Sequence, residues 1–525
     1  MKPQPVDLVL KHVKAYTVDP AFRVVDALAV DQGRIVAAGS GRELLERYAP
    51  ARELDGEGRA VYPGLLDPHS HFFGYGYSLA NADLNGTVSW EDTIARVQEH
   101  HQRHTAPWAA GRGWDQTTWP GQAFPTRDGL DQAFPDTPVF LVRVDGHAAI
   151  VNSKALALAG VDERTRVDGG ELVQARGRLT GLLIDNAIDL VRRAIPLPGR
   201  AAKEQALLRG QENCFQVGLT SVCDAGLDRD DVLFMDALHR TGKLKLRVYA
   251  MLTPSQANCD RFLANGVYVT DRLTVRSVKM YADGALGSRG ALLLEPYQDD
   301  PGNRGLQLAS FQTLDEVCGR AAAAGYQVCT HCIGDAAVRL MLDIYARHLE
   351  PGNDRRWRIE HAQVIHPQDL PRFGQLGVVP SVQSTHATSD MRWAGERLGT
   401  RLKHAYRYRE LLEQNGWLPN GSDFPVEPID PLRGFYAAVV RKDQRGYPEG
   451  GFQMENALTR RQALEAMTIW AARANFEEPT RGSLEPGKWA DLVMLDRDLL
   501  QVPEEELPSA RVVATFVGGE QVYCR

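Results

Sequence analysis

Two histidines with a single serine between them, His69 and His71 in PGLLDPHSHFFGYGY (63–77), are the first residues whose type and spacing suggest chemistry. Successive side chains on a strand alternate faces, so the two imidazoles point the same way and offer a bite for a metal ion. An H-x-H pair alone equally suits a polar loop. CTHC (329–332) has C-x-x-C spacing, but a zinc ribbon needs a second such pair and none is present. If 326–332 is a strand, Cys329 and His331 share one face and Cys332 the other. The cysteines then read as filler, while His331 stays a candidate. In QEHHQRH (98–104), His100 and His104 stand four apart, which fits metal on a helix but fits a solvated helix face better.

The elements that would position these groups follow from periodicity. Residues 63–480 alternate short apolar strands with amphipathic helices, the pattern of a parallel sheet or barrel. Strand ends fall near His71, at 220–226, 246–252, 275–284, 327–335, 357–363, 378–387 and 418–426, which makes eight, the number a closed (β/α)8 barrel requires. A helix follows the fourth strand in TLDEVCGRAAAAG, and another opens at Thr459, whose spacing to Gln462 is that of a capping box. Residues 76–215, between the first and second strands, are too many for a loop and predict an inserted subdomain with a strand in TPVFLVRVDG and a helix in NSKALALAG. Residues 1–62 and 481–525 share short alternating runs and Gly/Asp turns, so a small β-sandwich domain built from both termini is expected.

Composition narrows the function. The 525 residues can bury a large core, and 43% hydrophobic with 24% charged residues is ordinary for a globular protein. A net charge of −7 gives no basic field for nucleic acid. The N-terminal MKPQPVDLVLKHVKAYTV lacks the apolar run of a signal peptide, and no run is long enough for a membrane span, so a cytoplasmic location is expected. Seven scattered cysteines do not make a disulfide framework.

In a barrel the chemistry gathers at the C-terminal ends of the strands. The polar residues at those ends are His69 and His71, Lys279, His331, His361 and Asp423. Each alone has a bland reading: His361 in RIEHAQ as a core histidine, Asp423 in NGSDFP as a turn residue. Six together are hard to explain as packing. His386 and His147 are candidates for substrate contact or structure, Trp114 and Trp119 for pocket walls or insertion core, and Arg289 for a loop covering the site.

With these residues in view, the chain resembles the amidohydrolase superfamily, and specifically its amidohydrolase family 3 branch of YtcJ-like proteins. The resemblance is carried by PGLLDPHSH, VKMYADGALGSRGA, LEPYQDDPGNRG, THCIGDAA, IEHAQ, GSDFPVEPIDPLRGFYAAV and GSLEPGKWADLVMLDRD, in order along nearly the whole chain, and by PVFLVRVDGHAAIVNSKAL in the insertion. One departure is VQSTH, where the family often has proline at the position of Ser384. The resemblance implies two divalent metals, zinc foremost, bridged by a hydroxide. His69, His71 and Asp423 would hold one, His331 and His361 the other, and Lys279 would bridge them as a carbamate. Charge runs the same way: an ammonium cannot ligate a cation, and burial beside two dications favours the neutral amine that captures carbon dioxide. The competing reading of Lys279 is a buried salt bridge to Asp283.

The implied activity is hydrolysis of a non-peptide carbon–nitrogen bond in a small-molecule substrate, an N-acyl compound, a formamide or a cyclic amide, with Asp423 as proton shuttle. Esters and lactones suit the same machinery. The alternatives are a single-metal deaminase, which would not need the lysine, and a non-catalytic binding or regulatory relic, which would be expected to lose ligands. Homo-oligomers are plausible for such a family.

Overall fold

The computed structural model describes residues 3–104, 106–196 and 199–525. Its centre is a barrel of seven parallel strands in chain order: Leu65–Ser70, Leu219–Leu227, Arg247–Leu252, Leu273–Tyr281, Gln327–Cys332, Arg358–His361 and Val379–Ser381. They are buried on both faces, as a parallel sheet wrapped by helices must be, which is why they read as apolar runs. The helices include Arg229–Arg240, Phe311–Ala324, Asp335–Tyr345 and Pro431–Val440.

The eighth stave corrects the sequence expectation. Residues 418–426 form no regular strand, because Pro419, Gly421 and Pro425 are poor ladder residues. The segment still closes the barrel. On one side Val382 N donates to Pro419 O (3.1 Å) and Gly421 N to Val382 O (2.9 Å); on the other, Asp423 N donates to His69 O (2.8 Å) and His71 N to Phe424 O (2.8 Å). Ser384, the departure noted above, is buried and hydrogen-bonds Asn420 and Gly434 O (2.8 Å), so its hydroxyl ties this stave to the helix that follows. The seventh strand is also shorter than its apolar run, since a helix begins at Ser384.

Both ends of the chain enter one eight-stranded sheet. Ala60–Pro63 pairs antiparallel with Leu492–Leu495, and Leu8, Leu10, Val30, Leu492 and Phe516 share one core. Arg247 at the foot of a barrel strand donates to both carboxylate oxygens of Asp491 (2.7 and 3.0 Å), with both side chains buried. Removing one partner of such a pair costs about 3–5 kcal/mol.

The insertion carries a six-stranded sheet, ordered Gly170–Ala175, Arg178–Asp185, Ala148–Val151, Val139–Arg143, Ala109–Trp114, Ala82–Asp83. Each face has its own apolar cluster, one around Trp114 and Leu141, the other around Phe140 and Leu183. The helix read in NSKALALAG spans Ser153–Ala159, capped by the Asn152 side chain. The capping box at Thr459 and Gln462 forms, although the helix it opens stops at Ala466 and a second runs Ile469–Ala474. No helix among the described residues is long and apolar enough to cross a membrane.

Candidate functional site

Strand alternation and barrel closure bring the strand-end residues together. His69 is the next-to-last residue of the first strand and His71 follows the strand, and both Nε2 atoms turn to Asp423 Oδ1, at 3.5 and 3.2 Å. The three residues offer donor atoms that all lie within 4.8 Å of one another. Across the barrel, the His331 ring centroid lies 4.5 Å from that of His361, and His361 lies 4.9 Å from His69. Lys279 Nζ lies 3.3 Å from His69 Nε2. All of these except His71 are at least nine-tenths buried.

Two of these positions cost backbone energy. His361 (φ 71°) and Asp423 (φ 62°) are left-handed without being glycine. Such strain persists where the surroundings hold it, and it clusters at functional sites.

Partners behind the ring fix the orientation of three of the histidines. His69 Nδ1 meets Glu360 Oε2 (2.6 Å), His361 Nδ1 meets Gln383 Oε1 (2.7 Å) and His71 Nδ1 meets Ala225 O (3.2 Å). With Nδ1 occupied, Nε2 is the edge left to a ligand, the arrangement that metal-binding histidines use. Glu360 and Gln383 were not singled out from sequence. The signal for Glu360 was there, a carboxylate inside an apolar strand beside His361. His331 turns Nε2 toward Gly284 O (3.3 Å).

Burial pushes the His69, His331 and His361 imidazoles below their usual range, the direction that favours the neutral, ligating form. Burial would raise Asp423, but His69, His71 and His361 outweigh it and hold its carboxyl well below the usual range. Burial likewise opposes ionisation of Glu360, yet His69 and Arg358 hold it at about 2. Lys279 is pulled down by burial. The salt bridge from Lys279 to Asp283 is not formed: Asp283 accepts from Leu292 N, Ile333 N and Gly334 N, clamping the loop that follows the fourth strand.

A cavity of about 220 Å³ opens above these residues, lined by His331, His361 and Asp423 from the barrel and by Arg143, Asp145 and His147 from the insertion. His386, on the helix after the seventh strand, lines it with Nε2 3.9 Å from Asp423 Oδ2. Trp114 does not reach it: its side chain is enclosed in the insertion core, Nε1 donating to Leu141 O, and Trp119 packs beside it. Arg289 lies in the covering loop but turns to Asp299 (2.8 Å), away from the cavity lining. Asp390 and Glu427 line the cavity and were not anticipated. Cys329 lies in the barrel interior and Cys332 in the outer core, as alternation predicts, and all seven cysteines are free. His100 and His104 lie side by side at an exposed helix end, and no three-residue ligand group includes them among the described residues.

The family model described as "Amidohydrolase family" matches residues 52–523. LONG AFTER FAR-RED 3 of Arabidopsis thaliana is 34% identical, over 98% of this chain and 91% of its own. The putative amidohydrolase YtcJ of Bacillus subtilis is 32% identical, over 95% and 96%. N-substituted formamide deformylase of Arthrobacter pascens is 27% identical, over 99% and 98%. Among solved structures, an uncharacterized metal-dependent hydrolase from Pyrococcus horikoshii OT3 matches with a TM-score of 0.77 at 30% identity, covering 95% of this chain and 99% of its own.

Proposed function

The chain belongs to the amidohydrolase family, and from that premise we propose that it is a metal-dependent hydrolase of a non-peptide carbon–nitrogen bond, in a formamide, an N-acyl compound or a cyclic amide. The observation that carries the reading is the convergence of His69, His71 and Asp423 at the barrel mouth. The full-length similarity to a formamide deformylase supports the amide class.

The residues fit a divalent ion. Asp423 Oδ1 is buried and makes no hydrogen bond of acceptable geometry, although two imidazole nitrogens face it within 3.5 Å. Three donor atoms converging within 4.8 Å of one another suit a cation. Lys279 is buried without a carboxylate partner among the described residues, which disfavours an ammonium and suits the neutral amine needed for carbamylation. His69, His71 and Asp423 would hold one ion and His331 with His361 a second, with carbamylated Lys279 between them. Zinc matches this imidazole and carboxylate set. Bound divalent metal supplies a Lewis acid that acidifies water and polarises a carbonyl.

The remaining work belongs to the chain. Asp423 enters ionised, so it can take the proton of the attacking water and pass it to the leaving nitrogen. Amines leave poorly unless protonated, and this transfer is what allows the bond to break. His386, facing Asp423 across 3.9 Å, stands where it can meet the same group. A single-ion centre is favoured by one observation, that the three-residue group is the only one of its kind among the described residues. Full-length protein should release amine from formamides or N-acyl amino acids, and Asp423→Asn should abolish this with metal retained. A metal-loaded protein inert towards both classes and towards cyclic amides would overturn the reading.

A further inference from the structure

Resting on that hydrolase reading, we propose that His147, supplied by the insertion, is a catalytic residue whose Nε2 hydrogen-bonds the carbonyl group of the bound substrate, and that Asp185 is the residue that positions it. His147 comes from the turn between Val139–Arg143 and Ala148–Val151, not from a barrel strand. It nevertheless lines the cavity, with its ring centroid 4.8 Å from that of His331.

The residue is held at three points, one on the ring and two on its backbone. Nδ1 meets Asp185 Oδ1 at 2.6 Å, Asp185 N donates to His147 O (3.0 Å), and His147 N donates to Asp145 Oδ1 (3.0 Å). Asp145 is fixed in turn by Arg143 (2.5 Å). Asp185 has a fully enclosed side chain and a left-handed backbone (φ 49°). Its second oxygen, Oδ2, is buried with no hydrogen-bond partner among the described residues. The loop after the Lys279 strand makes room for that carboxylate with two glycines: a Cβ at Gly284 or Gly290 would stand 2.5 or 2.6 Å from Oδ2.

A strained backbone and a half-satisfied buried carboxylate are costs that packing alone does not require. They are intelligible if the imidazole must keep one orientation. With Nδ1 taken, Nε2 is the edge left over, without a hydrogen-bond partner among the described residues, on a side chain that is 16% exposed. A carboxylate on Nδ1 supports positive charge on the ring as negative charge builds on an oxygen facing Nε2. Barrel and insertion would thus both address the carbonyl.

The test uses zinc-loaded full-length protein, with formanilide as turnover probe and benzohydroxamic acid as a binding probe read by calorimetry. His147→Phe should lose about 10²-fold in kcat with KM changed by less than about threefold and metal content unchanged. His147→Gln, which restores a polar N–H at similar reach, should recover to within about tenfold of wild type, and Asp185→Asn should lower kcat about tenfold with KM unmoved. Retention of kcat in His147→Phe, or loss of its metal, overturns the proposal: the first denies the contact and the second makes His147 a ligand. If the wild type binds the hydroxamate but does not turn over formanilide, binding decides. His147→Phe should then weaken it about tenfold, and unchanged affinity rejects the contact. If the wild type neither binds the hydroxamate nor turns over formanilide, the same variants are compared on whichever N-acyl amino acid or cyclic amide it hydrolyses, and a wild type inert towards all three classes removes the hydrolase reading itself, and this proposal with it.

Discussion

Lys279 Nζ stands 3.3 Å from His69 Nε2 inside the barrel, and burial pulls the amine below the usual lysine range. A neutral amine in that place offers one lone pair, and it can bridge two ions only after it acquires the oxygens of a carbamate. Lys279→Ala is therefore expected to lower kcat by about 10²-fold or more and to deplete bound metal, with propionate or another short carboxylic acid restoring part of the activity. Full activity in the alanine variant would remove Lys279 from the centre.

Asp423→Asn separates binding from chemistry. Asparagine keeps the size and one ligating oxygen but accepts no proton. Its kcat should fall by about three to four decades with KM nearly constant and metal retained, as steady-state kinetics and elemental analysis would reveal. More than about a tenth of wild-type kcat would shift the role of base to another group, and His386 would be the first to test.

Metal content distinguishes the two centres the residues could build. Five imidazole and carboxylate ligands with a bridging lysine are more than one tetrahedral ion uses, so protein purified without chelators should carry two ions per chain. Exhaustive chelation should abolish activity, and re-addition of zinc should restore it. One ion at full activity would leave the single-metal reading standing.

His239 offers a pH test remote from the site. Its Nε2 hydrogen-bonds Leu246 O (3.0 Å), its Nδ1 is buried without a partner, and burial pushes the imidazole down to about 4. The depressed value means the unfolded chain takes up the proton first. Stability from keeping this ring neutral is complete above the ordinary histidine value near 6.5 and drains away as pH falls toward 4. Compared with His239→Gln, the wild type should lose about 3 kcal/mol more unfolding free energy between pH 7 and pH 4, by urea titration. Parallel stability curves for the two proteins would contradict this.

Residue order alone was enough to name the strand ends that carry His69, His71, Lys279, His331 and His361, because facing direction and apolar period are local properties of a strand. The same holds for the capping box at Thr459 and the opposite faces of Cys329 and Cys332. Other decisions needed the closed barrel. Glu360 and His361 are consecutive, and a regular strand would send them to opposite sides; the left-handed backbone at His361 lets both reach His69. The last stave lacks strand residues, and Asp423 is aimed by hydrogen bonds to a strand more than 350 residues earlier in the chain. Trp114 and Arg289 looked suited to a pocket but met nearer partners in the insertion core and at Asp299. Asp185 is an ordinary strand-end aspartate until the fold brings His147 and two glycines against it. Such pairings depend on which distant backbones come within a few ångströms, and only the packed chain decides that.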